Sequence, residues 1–287
     1  MNILKTAAAF GVSIFLLTPC LLAQETTTPA SAASASAAAA PQWKVGNIGL
    51  FIGGNNDIYQ SMHLSQMKAF AKTQADLPEL NLEDYDGEYY NRVDGAVLRF
   101  DVGLHRMNRT TGSYDNSREL QLGVNLHVAR EGMIEYSKEN VASNGYQENE
   151  SIVYCIIENE LELHGAYLFR KNFTWRLNAY TGIGASASTT FDNELLLIFN
   201  NSVTPDPTVY STEEETYTTE TSSFDAKQAV YSRAYIPFGV GYRFTKRLEA
   251  NLDWRLGVGV QHVVNGPTNF IKKTGSTVVG IKYHFHI

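Results

Sequence analysis

Between Leu248 and Gln261 apolar and polar residues alternate without a break. Leu248, Ala250, Leu252, Trp254, Leu256, Val258 and Val260 share one parity; Glu249, Asn251, Asp253, Arg255, Gly257, Gly259 and Gln261 share the other. Successive side chains of a strand point to opposite faces, so this stretch is a strand with one apolar face and one polar or glycine face. It is long enough to cross a bilayer at a tilt, which takes about 9–11 residues. The C-terminus repeats the pattern: Thr277, Val279, Ile281, Tyr283, Phe285 and Ile287 lie opposite Gly280, Lys282, His284 and His286.

Six more segments alternate in the same way. Lys44–Gly54 carries Ile48, Leu50 and Ile52 on one face. Val93–His105 sets Ala96, Leu98, Phe100, Val102 and Leu104 against Arg99, Asp101 and His105. Glu119–Ala129 sets Leu120, Leu122, Val124, Leu126 and Val128 against Gln121, Asn125 and His127. Ser151–Phe169 sets Ile157, Leu161, Leu163, Tyr167 and Phe169 against Glu158, Glu160, Glu162 and His164. Thr174–Ser188 sets Trp175, Leu177, Ala179, Ile183 and Ala185 against Arg176, Asn178 and Tyr180, and Ala234–Phe244 sets Ile236, Phe238, Val240, Tyr242 and Phe244 against Gly239, Gly241 and Arg243. The fold class that follows is all-β, an eight-stranded antiparallel barrel with both ends of the chain on one side.

A soluble sandwich also alternates, with its apolar face inward. The connections separate the two. Met107–Ser117, Arg170–Phe173 and Thr245–Arg247 are short, whereas Asn55–Arg92, Arg130–Glu150, Thr189–Arg233 and His262–Lys273 are longer and polar. Short periplasmic turns on one side and long extracellular loops on the other are the build of a transmembrane barrel. Glu194–Phe199 is apolar, but the return stretch Val209–Ser223 has no apolar face. That pair is expected as a hairpin extension above the membrane and not as two further spanning strands.

The N-terminus fits export. Lys5 precedes an uncharged run from Thr6 to Leu22, and Ala23 offers a small residue for cleavage before Gln24, the layout of a secretory signal. Residues 1–23 are therefore expected as a signal peptide and residues 24–42, rich in Ala, Ser and Pro, as a flexible tether. Residues 43–287 form the barrel. Cys20 leaves with the signal, so Cys155 has no partner for an internal disulfide. A net charge of -7 argues against nucleic acid as a partner.

Gly239-Val-Gly-Tyr-Arg-Phe244, a three-residue turn and then Leu-Glu-Ala-Asn-Leu-Asp-Trp-Arg resemble the small outer-membrane β-barrels of the OmpA/OmpX type, within the porin family of barrels. Gly280-Ile-Lys-Tyr-His-Phe285 resembles their C-terminal assembly signal, with Tyr283, Phe285 and Ile287 on its outward face. His286 and Ile287 follow the aromatic, a departure from the family's ending. The resemblance implies a bacterial outer-membrane location, outer-membrane lipid and the barrel assembly machinery as partners, and a monomer.

The inward faces carry charge of both signs. Acids are Asp101, Glu158, Glu160, Glu162, Glu249 and Asp253; bases are Arg99, Arg176, Arg243, Arg255 and Lys282. An eight-stranded barrel admits only its own side chains, so these charges are expected to pair as a lumen network. The other reading is an ion or proton path. His284 and His286 share a face and His105 lies near the same end, which suits a metal, but no fourth ligand is evident and no metal or other cofactor is expected. Asp84, Asp86 and Glu88 read as a solvated acidic loop. His63-Leu-Ser65 sits in a helix-like stretch from Ile58 to Ala75, where residues two apart face different ways, so it is not a catalytic pair. That stretch is expected to cap a loop. Two function classes remain: a non-catalytic barrel displaying surface loops, with 55–92 and 189–233 as ligand-binding candidates, or a narrow diffusion channel. A lipid-modifying or proteolytic enzyme is third.

Overall fold

A computed structural model describes residues 42–59, 64–74, 77–83, 85–107, 114–141, 146–205, 216–266 and 269–285. The expected signal and nearly all of the tether lie outside these residues. The elements are β1 (Gln42–Tyr59), α1 (Leu64–Lys68), β2 (Asp86–Met107), β3 (Tyr114–Val141), β4 (Tyr146–Asn172), β5 (Leu177–Pro205), β6 (Thr216–Asp225), β7 (Ala229–Arg243), β8 (Leu248–Val263) and β9 (Asn269–His284).

Eight strands close a ring in the order β1, β2, β3, β4, β5, β7, β8, β9 and back to β1, every pairing antiparallel. β6 stays outside it and pairs with the far part of β5, Glu194 to Val203. It is the expected hairpin extension.

The polarity of the two faces separates a membrane barrel from a soluble one. Along β8, Leu256, Val258 and Val260 are exposed, while Glu249, Asp253, Arg255 and Gln261 are buried. The same inversion runs round the ring: Leu50, Ile52, Leu98, Phe100, Leu163, Ile183, Ile236 and Ile281 face outward, each at least 45% exposed. A soluble fold would leave that band in water, whereas a bilayer covers it.

The strands run further than the alternating segments in the sequence. Beyond the ring β2, β3, β4, β5 and β6 continue as a curved sheet, so most of the expected loops 130–150 and 189–233 are paired strand. From Ile157 back to Tyr146 this adds on the order of 35–40 Å of strand at ordinary rise. The boundary is marked by bulges. Register slips between His127 and Arg130 and between Ile157 and Asn159, and Ala129 and Asp192 take left-handed φ values of 50° and 49°. The Asn159 side chain accepts a hydrogen bond from the Ala129 amide at 3.1 Å, replacing the ladder bond that the bulge removes.

Above the bulges the inner face turns apolar. Ile134, Tyr136, Ile152, Tyr154, Ile156, Leu195 and Leu197 are buried there together with Met67, Phe70, Ala71 and Leu77 from the first connection. That connection is the expected cap, and it is pinned in place. Ala71 bridges to Ala226, the Lys227 amide donates to the Phe70 carbonyl at 2.6 Å, Lys72 pairs with Asp225 at 2.8 Å and Phe70 stacks on Phe270.

Leu163 lies midway along the outward band. In lipid, Leu163→Arg is expected to lower unfolding stability by about 2–4 kcal/mol, measured by urea titration in vesicles, with Leu163→Ala well below that. Boiled and unboiled wild type should migrate differently on a gel. A wild-type monomer that is equally strand-rich without detergent or lipid would refute the membrane reading.

Candidate functional site

The inward residues form three tiers of charge. At the turn end Arg170 donates to Glu249 and to Glu119, both at 2.9 Å, and Arg243 and His284 also lie against Glu249, at 3.0 and 3.3 Å. Lys282 reaches Glu119 at 3.4 Å, and His105 meets Asn47 at 3.0 Å. In the middle Arg99 donates to Asp253 at 2.5 Å, lies 3.2 Å from Asp101 and covers the Phe51 ring at 4.2 Å. Tyr180 donates its hydroxyl to Asp253 at 2.8 Å, and Gln121 and His164 reach Asp101 at 2.7 and 2.8 Å. Near the bulges Arg233 bridges Glu160 and Glu162, and Arg130 bridges Asp57 and Glu160. There the Tyr231 ring has Lys272, Arg233 and Arg130 at 3.8, 4.6 and 5.1 Å, and its hydroxyl donates to Glu158.

These side chains fit because glycine clears the space. A Cβ on Gly239 would stand 2.5 Å from the Tyr180 hydroxyl, and one on Gly184 would stand 2.4 Å from the Tyr235 ring. Larger residues at either place would push an aromatic out of its tier.

The buried set is balanced. Among the described residues eight carboxylates (Asp57, Asp101, Glu119, Glu158, Glu160, Glu162, Glu249, Asp253) meet seven buried bases (Arg99, Arg130, Arg170, Arg233, Arg255, Lys272, Lys282), with half-buried Arg243 beside them. Separating such a pair leaves an uncompensated buried charge, which costs about 3–5 kcal/mol. Between the tiers is a cavity of about 40 Å³ bordered by Asp57, His127, Glu162, Arg233 and Arg255, room for a water or two.

Of the charges expected in the lumen, Arg99, Asp101, Glu158, Glu160, Glu162, Glu249, Asp253, Arg255 and Lys282 are buried there, and Arg243 is half-buried at its mouth. Arg176 is not in the lumen. The Thr174 hydroxyl accepts from the amides of Arg176 and Leu177 at 3.2 and 2.9 Å, which holds the chain in a turn, so alternation begins only at Leu177. Arg176 instead lies over Trp175 at 4.5 Å. Asp57, Glu119, Arg130, Arg170, Arg233 and Lys272 belong to the network although sequence reasoning placed none of them in it. Extending the parity of each strand past its apolar stretch finds Asp57, Glu119, Arg170, Arg233 and Lys272; Arg130 lies beyond the bulge, where parity reverses.

Tyr283 is half-buried with Phe285 edge-on to it at 5.3 Å, and the Phe285 amide donates to the Gly46 carbonyl at 2.9 Å. Ile287 and His286 lie outside the described residues, as do His63 and Asp84. Among the described residues the set that meets metal-ligand geometry is His127, Glu160 and Glu162, with ligand atoms within 4.8 Å of one another. Both carboxylates already hold Arg233, and a cation placed there would face its guanidinium. Cys155, in the sheet beyond the barrel, has its thiol pushed up to about 11 by burial, which favours the protonated form.

No family model matches the chain, and no curated protein matches it. Among solved structures it is similar to Neisserial surface protein A, at 9% identity and TM-score 0.36 over 85% of this chain and 99% of that one. It is similar to Ail, the attachment invasion locus protein of Yersinia pestis, at 10% identity and TM-score 0.28 over 84% and 100%. For the outer membrane protein OprG of Pseudomonas aeruginosa the figures are 10%, 0.33, 85% and 98%. At such identities and scores the likeness carries no argument, and what this barrel does has to be read from its own side chains.

The tiers predict unequal effects of removing single bases. Arg233→Met, which leaves Glu162 without its close base and takes one of two guanidinium partners from Glu160, should lower stability toward urea by about 3–5 kcal/mol. Arg255→Ala should cost less, because its nearest carboxylates stand 3.6 and 4.0 Å away. Adding Glu160→Gln to Arg233→Met should cost less than the two single losses summed. Additive losses would show that the pair does not interact.

Proposed function

We propose that this chain is a non-catalytic outer-membrane barrel that works through the sheet and cap at its loop end. Residues 1–23 direct export, residues 24–42 serve as a periplasmic tether, and the outward Tyr283 and Phe285 on β9 engage the assembly machinery. The observation that carries the reading is the tiered lumen: guanidinium–carboxylate pairs cross it at three levels and an apolar cap covers its loop end. A diffusion channel would be expected to carry a surplus of one sign along its lumen, and the near-equal acids and bases here favour the closed reading. An outer-membrane enzyme needs its nucleophile or base within reach of substrate; His105, His127, His164 and His284 are buried among the tiers, and the exposed His262 is hydrogen-bonded to Asn269 at 2.7 Å with no carboxylate beside it among the described residues.

The far sheet has the features of a display surface. It stands clear of the apolar band, and every described residue of β6 except Phe224 is exposed. Glu131, Glu139, Glu148 and Glu220 make it acidic. Two measurements test the reading. In planar bilayers the refolded wild type should be silent, and a steady ohmic conductance would instead support the channel. Replacing residues 200–219 with an Asn-Gly turn closes the hairpin at the Phe199–Glu220 pair and leaves Phe224, Asp225 and the cap in place. Cells carrying that variant should keep a heat-modifiable barrel and a sealed envelope yet lose adhesion to immobilised matrix proteins. Full adhesion with a leaky envelope would make this a structural barrel.

A further inference from the structure

The turn end carries a built feature that the lumen and the display sheet do not use. Two of its connections have the same sequence pattern, Phe173-Thr174-Trp175-Arg176-Leu177 and Phe244-Thr245-Lys246-Arg247-Leu248. They fold alike. The Phe173 and Phe244 amides donate to the carbonyls of Leu177 and Leu248 at 2.9 and 3.0 Å. In the second turn the Thr245 hydroxyl accepts from the amides of Arg247 and Leu248 at 3.1 and 3.0 Å, as Thr174 does in the first.

In both turns the arginine then reaches sideways to a neighbouring strand. Arg176 donates to the Tyr242 hydroxyl and Arg247 to the Tyr283 hydroxyl, each at 3.3 Å. Both tyrosines are braced by a phenylalanine two residues on, Phe244 and Phe285, at 5.3 Å and 75°. One of five guanidinium N–H groups is engaged this way, and the others remain for a ligand. The surrounding charge has one sign. Lys44, Arg118, Lys171, Arg176, Lys246 and Arg247 are exposed at this end, and its one exposed or half-buried carboxylate among the described residues is Asp115, paired across the sheet with Arg106.

We infer that this rim binds the phosphodiester headgroups of anionic phospholipids in the periplasmic leaflet. The exposed aromatic residues of these turns select a lipid over a soluble anion. Phe173, Trp175 and Phe244 are 58%, 57% and 61% exposed on the same turns, and aromatic residues of that kind settle at the membrane–water interface. The arginines held against this girdle therefore sit at headgroup depth, where a guanidinium meets phosphate through two parallel hydrogen bonds. The opposite end is acidic, so headgroup charge also favours one orientation of the barrel. The inference rests on the membrane-spanning reading proposed above.

Trp175 reports on the rim directly. The other tryptophans are Trp43 and Trp254, and the Trp43→Phe/Trp254→Phe variant of the full mature chain leaves Trp175 as the sole emitter. In vesicles with brominated phosphatidylglycerol or brominated phosphatidylcholine at equal mole fraction, phosphatidylglycerol should quench Trp175 more strongly. Added salt should weaken that preference. Adding Arg176→Gln and Arg247→Gln should reduce the relative affinity for phosphatidylglycerol roughly tenfold, while Arg176→Lys/Arg247→Lys retains part of it. Heat-modifiability, checked on every sample, separates the possible failures. A chain that does not insert into either vesicle refutes the membrane reading; a chain that inserts and is quenched equally by both lipids overturns this inference alone. Equal quenching together with an emission change on adding soluble peptidoglycan fragments would assign the rim to the cell wall and also overturn it.

Discussion

Closure of the sheet is the constraint from which the other features follow. A strand in a closed ring has a neighbour on both sides, so its backbone donors and acceptors are met without water, which is what permits it to stand in hydrocarbon. Closure with eight strands also fixes a narrow interior. Every inward residue must then find its partner among other inward residues. Polar side chains on the inner face become tolerable only as a balanced set, and Arg99 between Asp101 and Asp253 or Arg170 between Glu119 and Glu249 are local solutions to that demand. Aromatic rings complete the tiers. Phe51, Tyr180 and Tyr231 present ring faces to guanidinium or ammonium groups, which fills volume without adding charge.

The same strands meet a different environment once they leave the apolar band. Beyond the bulges water reaches the outer side, so burial has to come from within. In β3 the even residues Leu126 and Val128 point outward below Ala129, and the even residues Ile134 and Tyr136 point inward above it. In β5 the odd residues behave in the same way across Asp192, from outward Ile183 to inward Leu195 and Leu197. One inserted residue reverses the facing of a whole strand segment. β4 keeps its parity, and its composition changes instead: Glu158, Glu160 and Glu162 line the barrel, and Ile152, Tyr154 and Ile156 line the cap. The first connection supplies Met67 and Phe70 to complete that apolar layer. The bulges thus convert a barrel that is polar inside into a sheet that is apolar inside.

Much of this was legible in the sequence because the signal is local. Period-two alternation located the eight strands, and the missing apolar face of Val209–Ser223 marked the β5–β6 hairpin as an extension. The charge network was legible only where an apolar partner face announced a strand. Asp57 and Lys272 fell into supposed loops because their stretches carry few outward apolar residues, Ile58 and Ile271 among them. Arg130 was hidden for a different reason. Nothing in Ala129 itself announces a left-handed residue, and without the bulge Arg130 belongs to the outward face. Arg176 failed in the opposite direction, since it alternates correctly with Trp175 and Leu177 but belongs to a turn set by the Thr174 hydroxyl.

In the lumen the carboxylates are held by the barrel's own bases, so the exposed, uncommitted charge lies at the two ends. These differ in chemistry. The turn end presents bases on a girdle of aromatic rings, and the loop end presents an acidic sheet over an apolar cap. The separation is also energetic. Orphaning one member of a tier leaves a charge buried near several others and destabilises the barrel, whereas the far part of β6, among the described residues, is held by its ladder with β5 and a few side-chain hydrogen bonds such as that from Tyr217 to Asn200. Sequence can therefore change in the outer hairpin without disturbing the network that keeps the barrel closed. The bulged level at Ala129 and Asp192 thus separates an outer hairpin free to vary from a core that must pair with itself.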